Sequence, residues 1–121
     1  MTPSPSRIAQ HLEAIRQTLD RVEPNELLAV VAQGALVVDI RPDSNRREEG
    51  QLPGAVIVER IHLEWQIDPT SPDRIAEATP GRRVVIVCNE GYSSSLAAQS
   101  LRVLGVDATD LVGGYRALRS E

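Results

Sequence analysis

The single cysteine of this chain, Cys88, closes the run RVVIVC and is followed by Asn89, Glu90, Gly91, Tyr92, Ser93 and Ser94. An apolar strand that stops at a thiol, with a short glycine-containing loop and then a helix, places the sulfur where backbone N–H groups converge. A loop of inward N–H groups and the start of a helix both favour an anion. A solitary cysteine is commonly a small buried hydrophobe. Here, however, the next residues are Asn, Glu and Gly, which give a spectator thiol nothing apolar to pack against. Cys88 therefore reads as a nucleophile.

Several chemistries for such a thiolate fail on residue type. Proteolysis of the papain kind needs a histidine beside the cysteine, and the two histidines fall on a predicted solvent-facing helix position (His11) and in a connecting segment (His62). A phosphatase loop places an arginine after five intervening residues to grip phosphoryl oxygens, and that position holds Ser94. Thioredoxin-like exchange needs a second thiol, which CNEG lacks. One cysteine also excludes an internal disulfide and a cysteine-based zinc cluster. Transfer of a sulfur atom through a cysteine persulfide needs only a nucleophilic sulfur and a cradle of N–H groups, and these residues supply both.

The elements that hold this loop follow from apolar spacing. A chain of 121 residues is one domain with a core of its own. Ile8, Leu12, Ile15, Leu19 and Val22 recur at spacings of four and three, predicting a helix capped by Ser6 that packs on the rest of the protein. NELLAVVAQG predicts a second helix ended by Gly34. The runs at 35–40 and 83–88 are valine-rich and continuous, as expected of strands covered on both faces, with weaker strands at 55–58 and 108–112. A helix is predicted over SSSLAAQSLRVLG, with Leu96, Leu101 and Leu104 inward. A helical turn or two is expected at 71–78, and a last helix over GYRALRS. Strands alternating with helices imply an α/β parallel sheet, whose ligands bind beyond the carboxyl ends of the strands. Two places satisfy that rule, Asp39 to Arg41 and Cys88 to Ser94.

Thirteen Lys and Arg against seventeen Asp and Glu give a formal charge of -4, which disfavours nucleic-acid binding. The opening MTPSPSRIAQ has no apolar core for a secretion signal, and no stretch approaches a membrane span. The expected location is the cytoplasm, with neither nucleic acid nor membrane as partner.

Over nearly all of residues 24–121 the chain resembles the single-domain rhodaneses, with residues 1–23 as an N-terminal helical extension. The resemblance rests on VVDIRP (37–42), GQLPGA (50–55), the cysteine loop CNEGYSS (88–94), and Gly113–Gly114 before the last helix, in that order. It implies a rhodanese-like fold, with a central, mostly parallel sheet and helices on both faces. It also implies a sulfurtransferase in which Cys88 takes a sulfane sulfur from thiosulfate or a persulfide and passes it to a thiophilic acceptor. By the same resemblance the loop from Asn89 through Glu90, Gly91, Tyr92 and Ser93 to Ser94 binds substrate together with Arg41, which lies near the pocket, and Asp39 supports it. No metal and no bound cofactor are implied. The implied partners are a small sulfur donor or persulfidated thiol, with a protein as one class of acceptor.

Two departures bear on the donor. The arginine usual in the loop falls on Ser93, and Gln51 stands where histidine is common. Losing one charged contact in a partly desolvated pocket costs on the order of a hundredfold in rate, so thiosulfate is expected to be a weaker donor than a thiol-borne persulfide. The same gap supports the alternative of a rhodanese-fold binding or sulfur-sensing module with little thiosulfate turnover. Arg41 is the first candidate to supply the missing charge; Arg46, Arg47 and Arg60 are further candidates that read more readily as solvated surface residues. Tyr92 reads as a residue of the pocket mouth, and Trp65 as core or subdomain packing under the 59–72 connection in preference to a pocket wall.

Overall fold

The valine-rich runs pair into one sheet. In the computed structural model, which describes residues 5–119, β1 (Leu36–Asp39), β2 (Val56–Ile57), β3 (Arg83–Val87) and β4 (Asp107–Asp110) lie in the order β2-β1-β3-β4. Every pairing is parallel, with Val38 opposite Ile86 and Asp39 opposite Val87 in the central pair. The fold is α/β with helices on both faces, as the alternation of elements predicts.

Strand side chains alternate between two apolar layers. Leu36, Val38, Val84 and Ile86 join Ile15 of α1 (Arg7–Arg16), Leu63 and Ile67 of α4 (Leu63–Ile67), and Ala97, Ala98 and Leu101 of α5 (Ser93–Val103). Val37, Val85 and Val87 face the other way, toward Leu27 of α2 (Leu27–Ala32) and Tyr115 of α6 (Gly114–Arg119). Small residues on α5 let it lie close to the sheet. Leu101, fully buried there, contributes about 2 kcal/mol by its removal from water.

Ser6 caps α1 by accepting the Ala9 N–H at 3.1 Å, and Leu12 and Ile15 are buried beneath the helix. The apolar stripe outlasts the helix, which ends at Arg16. Leu19 and Val22 stay inward on an irregular segment, and Val22 forms a parallel bridge with Leu111 that covers the outer edge beyond β4. Ile8, expected on the stripe, is exposed. Backbone bonding to a strand edge thus took over the last position that spacing had given to the helix.

Other differences have local causes. The 71–78 segment forms turns rather than helix, because Ser71 Oγ accepts the Asp73 N–H and binds the backbone into a turn. Two helices carry no clear apolar period and were not expected: the polar α3 (Asp43–Glu49) and the short α4. Leu104 is 47% exposed and Trp65 59% exposed. The tryptophan is therefore not core; it lines an open groove of about 940 Å³ with Ile61, Val103 and Leu104. Residues 1–4 of the predicted extension and Ser120 of the predicted last helix lie outside the described residues. Among those described, no helix is long and apolar enough to cross a membrane.

Candidate active site

β3 ends at Val87, so Cys88 begins the loop at the carboxyl end of a central strand. Its Sγ accepts the N–H of Gly91 at 3.1 Å and that of Ser94 at 3.4 Å. The residue is 6% exposed. Gly91 makes this tight return possible through a φ of +88°, and a Cβ there would also lie 2.8 Å from the Gly113 nitrogen. Tyr92, 57% exposed, stands at the surface of the loop, and Ser93 is exposed at the first position of α5. The Ser94 hydroxyl turns away from the sulfur and donates to Asp110 Oδ2 at 2.7 Å.

Three parts of the chain hold the loop from outside. On one side α6 supplies backbone: the Tyr115 N–H donates to the Cys88 carbonyl at 2.9 Å and the Arg116 N–H to the Asn89 carbonyl at 3.1 Å. From α3, the Glu49 carboxylate accepts from Asn89 Nδ2 at 2.9 Å, Arg116 Nε at 3.0 Å and Arg119 Nη1 at 3.2 Å. The hydrogen bond from Arg116, followed by that from Asn89, holds the Glu49 carboxyl down at about 2 against an ordinary 4.5. Glu90 at the rim pairs with Arg116 at 3.0 Å.

The third support comes from the N-terminal segment. Arg16 Nη2 and Arg21 Nη2 both donate to the Gly91 carbonyl, at 2.7 and 3.2 Å. Arg21 also grips fully buried Asp110 with two nitrogens, at 2.8 and 3.1 Å, while Ser94 and Ser95 donate to the same carboxylate. Asp110 thereby joins β4, the first turn of α5 and the N-terminal segment behind the cysteine loop.

At the neighbouring strand end, Asp39 and Arg41 form a buried pair at 2.8 Å. The Arg41 guanidinium donates to the Gly50 carbonyl at 3.0 Å and lies 3.8 Å from the centre of the Tyr115 ring. Its Nη1 is buried without a hydrogen-bond partner. Arg41 therefore ties β1 to the GQLPGA segment and to α6. Arg46, expected at the surface, is buried, and its guanidinium donates to the Arg41 carbonyl. Arg47 and Arg60 are exposed and pair within their own helical turns, with Asp43 and Glu64. His11 and His62 are exposed.

The residues singled out in the cysteine loop thus lie together, with Gly91 and Ser94 directing N–H groups at the sulfur. Arg16, Arg21, Glu49, Ser95 and Asp110 were missed. An acid inside the apolar ATDLV run was a signal for Asp110, since a charge at a buried strand end needs a partner. Nothing in residue spacing marks the two arginines, whose contacts span about seventy positions or more.

A parallel sheet with helices on both faces and a cysteine loop at its carboxyl edge defines the class of protein. The model of the rhodanese-like domain matches residues 23–121, and the chain belongs to that family. The thiosulfate sulfurtransferase GlpE of Pseudomonas entomophila is 34% identical over 101 residues, covering 83% of this chain and 84% of that protein. Among solved structures, a rhodanese homolog from Thermus thermophilus is 32% identical with a TM-score of 0.59, over 79% of this chain and 96% of that one. A Rhodopseudomonas palustris protein of unknown function, described as a possible tyrosine phosphatase, is 26% identical with a TM-score of 0.83, over 99% of this chain and 95% of that one.

Proposed function

We propose that this protein is a sulfurtransferase that carries a sulfane sulfur on Cys88. The observation that carries this reading is the pair of N–H groups, from Gly91 and Ser94, directed at Cys88 Sγ. Donors fixed on a sulfur stabilise the negative charge of the attacking thiolate and, after sulfur uptake, that of the persulfide. With thiosulfate, the thiolate attacks the outer sulfur, an S–S bond to Cys88 forms, and the bond to the sulfonate sulfur breaks as sulfite leaves with the electron pair. An acceptor thiolate or cyanide then attacks the outer sulfur of the persulfide and releases Cys88 as thiolate. Neither half needs a fixed base.

The Asn89–Ser94 loop is the binding surface in this reading, with Tyr92 at its mouth. Asp39 and Arg41 hold the adjoining strand end. Thiosulfate and thiol-borne persulfides are the donor classes, the acceptor is a small thiophile or a protein thiol, and the setting is the cytoplasm. Phosphate-ester chemistry fits less well: the arginine position of such a loop is Ser94, whose hydroxyl faces Asp110.

The test is the mass of the intact protein after incubation with thiosulfate or an organic persulfide. One added sulfur, about 32 Da, is expected on the parent and not on Cys88→Ser, and repeated removal by cyanide is expected with each reloading. No added sulfur from any donor would overturn the proposal. Because the loop lacks an arginine at Ser93, a sulfur-sensing module remains the second reading, recognised by uptake of one sulfur without turnover to an acceptor.

A further inference from the structure

We infer that Arg16, on the N-terminal helix outside the family-matched residues, positions the Cys88 loop and supplies the positive charge that the loop itself lacks at Ser93. The assignment rests on Cys88 being the reactive sulfur. The Gly91 N–H is bonded to Cys88 Sγ, yet glycine is the residue most free to rotate, so the orientation of that N–H depends on what holds the rest of the residue. Arg16 Nη2 holds the Gly91 carbonyl at 2.7 Å, the shorter of the two arginine contacts there. Arg16 Nε donates to Ser95 Oγ at 3.2 Å, and its guanidinium lies 5.6 Å from the centre of the Tyr92 ring. One side chain thus fixes the Gly91 carbonyl, the first turn of α5 and the aromatic residue at the mouth.

Charge separates Arg16 from the other cations at this loop. Arg21 is committed to Asp110, and Arg116 to Glu49 and Glu90. Among the described residues Arg16 forms no ion pair, and the carboxylate it reaches through Ser95, that of Asp110, is itself paired with Arg21. A guanidinium with no ion-pair partner of its own, bonded to the residue that donates to the nucleophile, favours an anionic donor approaching the sulfur. Placing the charge on a separate helix leaves Ser93 small and the loop mouth open.

The experiment compares iodoacetate with iodoacetamide as alkylating agents for Cys88 in the parent, Arg16→Ala, Arg16→Gln and Arg16→Lys. Both reagents react with the same thiolate, so the ratio of their rates reports charge at the site and cancels any change in thiolate population. The ratio is expected to fall about threefold to tenfold in Arg16→Ala and Arg16→Gln and to recover in Arg16→Lys. Sulfur loading from thiosulfate, a dianion, should fall about tenfold in the neutral variants, with less effect on an alkyl persulfide, which carries at most one charge. An unchanged ratio in folded Arg16→Ala and Arg16→Gln would overturn the assignment, as would equal slowing of both reagents that Arg16→Lys does not relieve. If the parent takes up no sulfur from any donor, the sulfurtransferase reading fails, while the reagent ratio, which needs no turnover, still decides Arg16.

Discussion

Gly114 and Cys88 meet backbone to backbone. A Cβ on Gly114 would lie 2.5 Å from the Cys88 carbonyl oxygen and 2.7 Å from the Asn89 carbonyl carbon, and Gly114 has a φ of +66°. Glycine at this position, the first of α6, is therefore a requirement of close approach. It lets α6 reach the cysteine loop and donate two N–H groups to its carbonyls.

Gly114→Ala should consequently disturb the sulfur site from a position that carries no functional group. Left-handed strain and contact with backbone that cannot swing aside are expected to cost about 2–4 kcal/mol of stability. Sulfur uptake by Cys88 should fall with it. Urea unfolding and intact mass after donor treatment check the two effects; parental stability would show that α6 can withdraw without cost.

Arg41→Ala is expected to act on stability before it acts on donor binding. The substitution leaves Asp39 buried at the end of β1 without its cation, and breaking such a pair from one side costs about 3–5 kcal/mol. Arg41→Lys should recover only part of this loss, because an ammonium cannot span Asp39 and the Gly50 carbonyl while lying flat on Tyr115. Thermal melts of the two variants test the order, and a melting midpoint for Arg41→Ala equal to the parent's would count against it.

Glu49 predicts a pH dependence with a definite sign. Its carboxyl is lowered from 4.5 to about 2, so its contribution is fully present above about 4.5 and is lost as pH falls through about 2. Glu49→Gln should therefore be less stable than the parent by a constant margin at neutral pH, with the two curves converging in acid. Denaturant titrations from neutral pH downward measure that margin. A margin that widened in acid would contradict the arrangement around Asn89 and Arg116.

The sequence alone determined the class of fold and where along the chain its cysteine loop lies. Continuous valine runs can be buried on both faces, which specified parallel strands covered by helices, and the change from apolar to small polar residues at Cys88 marked where the sheet ends and a loop begins. The order of VVDIRP, GQLPGA, CNEGYSS and the paired glycines brought the family within reach, because each is a local backbone requirement written in neighbouring residues. Tertiary structure decided what holds that loop. Arg16 and Arg21 reach Gly91 across about seventy positions or more, and Asp110 collects hydrogen bonds from an arginine and two serines that no local period connects. The polar α3 likewise has no apolar stripe to announce it; contacts such as Glu49 with Asn89 and the buried Arg46 with the Arg41 carbonyl hold it in place. Trp65 shows the opposite limit, since a large apolar residue suggests burial by type, while only the packed chain sets which side of a short helix faces water. Spacing along a chain encodes contacts within a turn or a strand; contacts between distant segments depend on how the layers close.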